Sequence, residues 1–297
     1  MQQPFVTKID AATAQKLHQI LDSQGFVFSK PPHTQFQGQK KGVSCTLYES
    51  GKLVVQGKDK EEFITYTLEP EVLKTFTYGH ESRDLDPTPR IGVDESGKGD
   101  FFGPLCVAAL FASGNDVNKL HELGVKDCKA LSDKKILSIA SKLRQSFQHH
   151  IIAIGPQKYN ELYAKFCNLN SLLAWGHATA ISELSQKTQC KNVIIDQFAH
   201  ENVVKTALKK KGVTLDLLQK HRAEEDIVVA GASILARASF LTELEKLSER
   251  CGIPLPKGAS SATLEAGRQF LSKWGQDPLT HVAKCHFKTY NEILKFL

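Results

Sequence analysis

Near the start of the chain, apolar residues recur at helical spacing: Ala11, Ala14, Leu17, Ile20 and Leu21 follow an Asp10 placed to cap a helix. Pro31 and Pro32, inside the Lys30 to Thr34 stretch, break that pattern. VSCTLYES-GKLVVQG then alternates apolar and polar positions, which predicts two strands joined by a turn at Ser50-Gly51. FITYTL extends the strand pattern, and EVLKTF predicts the start of another helix. GHESRDLDPTP, polar and with two prolines, has the composition of a linker, so the chain divides near residue 87 into segments 1–87 and 88–297.

Beyond that point the pattern changes. R-I-G-V-D is a short apolar strand that delivers an acid at its end, and the glycine-rich turn ESGKGDFFGP leads into a second apolar strand, LCVAALFA. HHIIAIG, NVIIDQF and VTLDLLQK are further strand candidates. LSDKKILSIASKLRQSF and LNSLLAWGHATAISELSQK carry helical periodicity, and EEDIVVAGASILARASFLTELEKLSER reads as a long helix opened by acids. Strands alternating with helices predict an α/β layer architecture from about residue 88 onward.

A chain of 297 residues agrees with two domains, since a single core rarely grows that large. The net charge of +6 is a mild basic bias, consistent with a polyanionic partner. Residues 1–85 carry ten basic and ten acidic side chains, so the excess lies in the remainder. Lys30, Lys40, Lys41, Lys52, Lys58 and Lys60 nevertheless face only Glu49 and Asp59, a local basic patch or the solvated face of a hairpin. The seven cysteines are odd in number, scattered and without a C-x-x-C pair, which predicts reduced structural thiols. The opening residues lack the basic-then-apolar pattern of a leader, and no run of about 18 apolar residues occurs. The expectation is a cytoplasmic protein that does not span a membrane and acts as a monomer.

Three acidic sites fall at strand ends or before the long helix: Asp94-Glu95, Asp196 in V-I-I-D-Q, and Glu224-Glu225-Asp226. Acids emerging from neighbouring apolar strands meet at the rim of a sheet, where crowding raises their pKa and divalent cations relieve the repulsion. Mg²⁺ prefers such oxygen ligands, and a pair of ions suits in-line displacement at phosphorus. Singly, each acid could equally be solvated, cap the next element or complement a helix dipole. Gly92, Gly97 and Lys98 also give most of a phosphate-binding P-loop. Gly99, however, stands where Ser or Thr should ligate Mg²⁺, Asp94 and Glu95 would repel the phosphates, and a strand follows instead of a helix. A nucleotide triphosphatase, and hence a nucleotide cofactor, is disfavoured. A non-catalytic nucleic-acid-binding protein is the other alternative, although a pure phosphate binder gains nothing from clustered acids.

D-E-S-G-K-G-D-F-F-G-P-L resembles the first active-site motif of the type 2 ribonuclease H family, its Gly-Lys-Gly being the form of the HIII branch where the HII branch has Gly-Arg-Gly. G-V-K-D-C-K-A-L-S resembles the family's D-S-K-x-L block, with Cys128 in place of Ser. N-L-N-S-L-L-A-W-G-H-A is similar to a block of the HIII branch, V-I-I-D-Q-F to the third-acid strand and A-S-I-L-A-R to the helix motif. The resemblance spans nearly the whole chain. It implies a ribonuclease H-like mixed sheet flanked by helices, preceded by a small α+β domain similar to the TATA-binding protein. It also implies hydrolysis of the RNA strand of RNA/DNA hybrids with Mg²⁺ or Mn²⁺, in two ions, leaving 5′-phosphate and 3′-hydroxyl ends. By motif, Asp94, Glu95 and Asp196 would be metal ligands, joined by one acid from 224–226. Gly97, Lys98 and Gly99 would lie against the minor groove, where 2′-hydroxyls mark RNA, and Lys98 and Lys129 would contact phosphates. Cys128 keeps a small side chain but weakens a hydroxyl donor, so a phosphate contact does not carry over to it.

Three adjacent helical residues diverge by roughly 100°, so only one of the three acids can face the ions. Projecting from Glu224 gives an apolar stripe through Ile227, Gly231, Ile234, Ala238 and Leu241, which favours Glu224 modestly over Glu225, whose stripe is nearly as apolar. Asp226 projects through Ser233 and Arg237, a more polar face, and the three remain alternatives.

Overall fold

The structure, a computed structural model, describes residues 4–74 and 85–296. It comprises two compact units, residues 1–84 and 85–297, each with its own core. The linker assigned to 79–89 falls partly outside the described residues, as does the end of EVLKTF.

In the first unit, strand β1 (Phe5–Lys8) leads to helix α1 (Ala11–Ser23), whose first turn is capped by Asp10 accepting from the Thr13 backbone N–H at 2.8 Å. Strands β2 (Val27–Ser29), β3 (Thr34–Lys40), β4 (Val43–Tyr48) and β5 (Lys52–Gln56) follow, and the β4–β5 hairpin turns at Gly51 as expected. The strands form an antiparallel sheet in the order β1-β5-β4-β3-β2. The pattern of the sequence did not separate β1, β2 and β3, because each is short or glutamine-rich.

FITYTL, expected as a strand, is helical. Short helix α2 (Lys60–Phe63) runs directly into a wider π-type helix over Ile64–Leu73. Ile64, Leu68 and Val72, four residues apart, carry the buried face and lie with Leu17 and Leu21 of α1 against the sheet. The apparent alternation of the six residues was a fragment of that helical period. Lys60, assigned to the basic patch, is buried, whereas Lys40, Lys41 and Lys58 line a shallow groove of about 980 Å³.

The second unit is built on a mixed sheet of β6 (Arg90–Ser96), β7 (Leu105–Ala112), β8 (His149–Ile154), β9 (Asn192–Asp196) and β10 (Asp216–Lys220), ordered β10-β9-β6-β7-β8. Strands β10, β9 and β6 are parallel, and β6, β7 and β8 antiparallel. Helices α3 (Asn115–Glu122), α4 (Asp133–Ser146), α5 (Pro156–Phe166), α6 (Leu169–Thr188), α7 (Glu201–Lys210), α8 (Ile227–Cys251), α9 (Ser261–Trp274) and α10 (Lys288–Leu294) complete it. One face of the sheet packs on α3, α4 and α8, the other on α6 and α7. This double cover is why its strands read as continuous apolar runs.

Strand alternation sorts β6 between the two faces. Ile91 and Val93 join the α6 side, while Gly92 lies against α8. A β-carbon at Gly92 would stand 2.4 Å from the Val229 backbone nitrogen, so only glycine lets α8 approach this closely. By length and composition α8 could cross a membrane (mean hydropathy 1.6), yet 78% of that window is buried, the signature of a core helix. All seven cysteines are free.

Candidate active site

Asp94 and Glu95 stand at the carboxyl end of β6, and Asp196 ends β9. The parallel register pairs Val93 with Ile195, so the next residues, Asp94 and Asp196, leave neighbouring strands at the same level. Adjacent strands lie about 4.8 Å apart. Because successive side chains alternate, Asp94 turns to the α8 face and Glu95 to the α6 face.

On the α8 face, the Ser233 hydroxyl lies between the Cys128 sulfur, 3.1 Å away, and the Asp94 carboxyl. Burial, reinforced by the charge of Glu95, raises the Asp94 carboxyl to a pKa of about 7, with Ser233 and the Glu95 backbone N–H offsetting only part of this. On the α6 face, buried His177 donates from Nε2 to Glu95 Oε2 at 2.9 Å. Lys98 Nζ lies 3.8 Å from Glu95 Oε1. Burial opposes ionisation of Glu95, but His177 and Lys98 outweigh it and hold that carboxyl below its ordinary range.

The three acids at 224–226 are placed differently from the expectation of a helix that begins among them. Helix α8 begins at Ile227, Asp226 is its N-cap, and Glu224 and Glu225 belong to a 3-10 turn over Ala223–Glu225. The projection along a helix from residue 224 therefore does not apply. The cause is local: Asp226 accepts from the N–H groups of Val228 and Val229, so its backbone is extended and the helix cannot reach further back. Asp226 is also committed to a buried ion pair with Arg90 Nε at 2.9 Å. Glu225 is exposed. Ala223 donates its backbone N–H to Asp196 Oδ1 at 3.3 Å, which draws the turn carrying Glu224 against Asp196. Glu224 accepts from Lys129 Nζ at 3.2 Å, and its own backbone N–H together with Lys129 lowers its pKa.

The loop from Gly97 to Pro104 returns into antiparallel β7 instead of opening a helix, so the P-loop reading fails on geometry as well as on sequence. Gly97 has φ 93°, and a β-carbon there would meet the Pro104 carbonyl oxygen at 2.2 Å. Gly99 is exposed with open space around it, and the side chains of Lys98 and Lys129 are 42% and 77% exposed. Far along the chain, buried Lys284 donates from Nζ to the Asp100 and Gly103 carbonyls at 2.7 and 2.8 Å. Burial lowers its pKa to about 7. Gly258 donates to Asp100 Oδ1 at 2.6 Å, and Gly103 to the Val282 carbonyl at 3.0 Å, so the loop is fastened from both sides.

Sequence reasoning did not single out His177, Ser233, Arg90 or Lys284. His177 and Ser233 do lie within the W-G-H-A and A-S-I-L motifs, and Arg90 opens the first strand. Lys284 had no local signal, because its role depends on carbonyls distant in sequence.

Among the described residues, no three His, Cys, Asp or Glu side chains are already drawn together tightly enough to hold an ion. The donor set nonetheless fits a hard divalent cation: oxygen carboxylates only, one of them raised to a pKa of about 7 by burial and a like-charged neighbour. Acids at parallel strand ends beside a glycine loop form one candidate metal-binding rim.

The family model for ribonuclease HII matches residues 91–290, and a domain of unknown function, DUF3378, matches 4–75. Ribonuclease HIII of Protochlamydia amoebophila is 54% identical over 98% of this chain and 97% of its own. That of Chlamydia abortus is 49% identical over 99% and 98%. Among solved structures, Bst-RNase HIII in complex with Mn²⁺ has a TM-score of 0.68 at 27% identity, covering 99% of both chains. RNase H3 of Aquifex aeolicus has a TM-score of 0.57 at 28% identity, covering 96% of this chain and 100% of its own. The chain belongs to the ribonuclease HIII family, and so is a hydrolytic nuclease of the kind that cuts RNA in RNA/DNA hybrids.

Proposed function

We propose that the chain is an endoribonuclease that cuts the RNA strand of RNA/DNA hybrids by two-metal-ion catalysis, leaving 5′-phosphate and 3′-hydroxyl ends, and that it works as a cytoplasmic monomer without a nucleotide cofactor. The observation that carries the reading is the placement of Asp94, Glu95 and Asp196 at neighbouring strand ends, with the turn of Glu224 bonded to Asp196, beside a loop whose Gly97 allows close backbone approach. The Mn²⁺ complex of Bst-RNase HIII supports a divalent cofactor, Mg²⁺ or Mn²⁺. Asp94, Glu95, Asp196 and Glu224 would hold the ions. When bound, such ions activate a water and stabilise the leaving 3′ oxygen.

The chain's own residues do the rest. Gly97 and Gly99 let the backbone reach the 2′-hydroxyls that separate RNA from DNA. Lys98 and Lys129 neutralise Glu95 and Glu224 and, being exposed, are placed to meet phosphates as well. Asp226 is engaged by Arg90 and by the start of α8, so Glu224 is the fourth acid in this reading and Asp226 the alternative.

The test is cleavage of a labelled hybrid with Mg²⁺ or Mn²⁺ against the same reaction in EDTA, with RNA and DNA duplexes as controls. Cutting that persists in EDTA, or that ignores the strand's sugar, would sink the proposal. Glu224→Gln, Glu225→Gln and Asp226→Asn, made separately and assayed at saturating Mg²⁺, decide the fourth acid. The expected outcome is collapse for Glu224→Gln and a near-wild-type rate for Glu225→Gln.

A further inference from the structure

His177 is wholly buried on α6, yet only one of its ring nitrogens is satisfied. Nε2 meets Glu95 Oε2 at 2.9 Å, and Nδ1 is buried with no hydrogen-bond partner among the described residues. An ionised carboxylate only accepts, so the hydrogen in that bond sits on Nε2. The orphaned Nδ1 costs free energy that a phenylalanine in the same space would not. A purely structural ring at this position would not need the imidazole.

Two further observations tie the ring to the catalytic rim. The ring of Phe198, two residues beyond Asp196, lies against His177 with centroids 4.7 Å apart and planes inclined by 49°. Gly176, the preceding residue, faces Val107 of β7 so closely that a β-carbon would stand 3.1 Å from Cγ2, which brings this turn of α6 down onto the sheet. His177 thus touches Glu95 at the end of β6 and Phe198 just beyond the end of β9.

We infer that His177 is a positioning residue: by engaging Glu95 Oε2 it fixes that side chain's rotamer and leaves Oε1, the oxygen facing Lys98, presented to the site. The inference rests on the proposed role of Glu95 as a metal ligand. Partners that hold a ligating carboxylate usually change metal affinity or activity by about 10- to 100-fold when removed. A residue acting in this way alters metal binding without touching substrate.

The test uses the full chain and Mn²⁺ alone as the probe, with binding followed by isothermal titration calorimetry in the absence of nucleic acid. His177→Phe keeps the ring and its packing on Phe198 but removes the donor; His177→Gln keeps a donor; Glu95→Gln is the control. His177→Phe should weaken Mn²⁺ binding by about tenfold or more and raise the Mn²⁺ concentration needed for half-maximal cleavage. The KM for hybrid should stay unchanged, and His177→Gln should recover most of the affinity. Weakened binding in Glu95→Gln with wild-type binding in His177→Phe overturns the inference alone. Unchanged binding in both variants overturns the ligand assignment and the inference with it. Should His177→Phe fail to fold, His177→Asn, whose shorter amide cannot reach Glu95, replaces it under the same criteria.

Discussion

The two five-stranded sheets solve the problem of burial in opposite ways. Among the described residues of its own unit, the N-terminal sheet is covered on one face, by α1 and the helix over 60–73. Its other face carries Lys8, Gln37, Gln39, Thr46 and Gln56 beside Val6, Val27 and Val54, with Gln37 bonded across to Thr46 at 3.0 Å. The second sheet is covered on both faces and offers only its strand ends. A one-sided sheet leaves a broad, mixed polar and apolar surface suited to a large partner. A two-sided sheet leaves a rim a few side chains wide, where acids can crowd and a single bond can be attacked. On the proposed function, surface recognition and chemistry would fall to separate units.

Asp94→Asn is the substitution that should break this division most completely. Removing one carboxylate charge from the rim is expected to cut hybrid cleavage below a few per cent of wild type while hybrid binding, measured by fluorescence anisotropy, persists. The same variant carries a stability signature. Asp94 has its pKa raised from 3.8 to about 7, so across that window the folded chain keeps a proton that the unfolded chain releases. Stability from this group is therefore full in acid and lost as pH rises toward neutrality. In EDTA, urea denaturation at the two ends of the window should show a decline for wild type that Asp94→Asn lacks.

Next in size is Asp226→Ala, which should leave the acids of the rim in place and damage their support. It strips a buried Arg90 of its counter-charge and α8 of its cap. The expected loss is about 3 kcal/mol or more in urea denaturation. A variant as stable as wild type but inactive would return Asp226 to the list of metal ligands.

The smallest effect belongs to the open face. Deleting residues 1–84 should raise KM for hybrid by about tenfold, roughly 1.4 kcal/mol, with a lesser change in kcat, because binding remote from the cut bond is lost. An unchanged KM in a folded truncation would mean that the open face does not serve this substrate.

Legibility followed the same division. In the second unit the apolar runs of β6, β7 and β9 and the periodicity of α4 and α6 marked the elements directly, and the acids at their ends marked the rim. In the first unit β1, β2 and β3 escaped notice, since a strand with a wet face needs few apolar residues. The start of α8 was misjudged because three consecutive acids satisfy a helix dipole and a cap equally well in one dimension; in the fold Asp226 caps, and Arg90, 136 residues away, also pairs with it. His177 lay inside the W-G-H-A motif, but its role, like that of Lys284, is defined by a partner at long range, 82 and 184 residues distant.

Lys284 sets a condition on the order of events in synthesis. The glycine loop is made early, but the ammonium and backbone that fasten it at Asp100 and Gly103 are encoded up to 184 residues later. At translation rates of about 5–20 residues per second, the loop emerges roughly ten to forty seconds before its fastening exists. A nascent chain paused before residue 284 would carry every acid of the rim and the whole open face. It would still lack a set loop beside those acids.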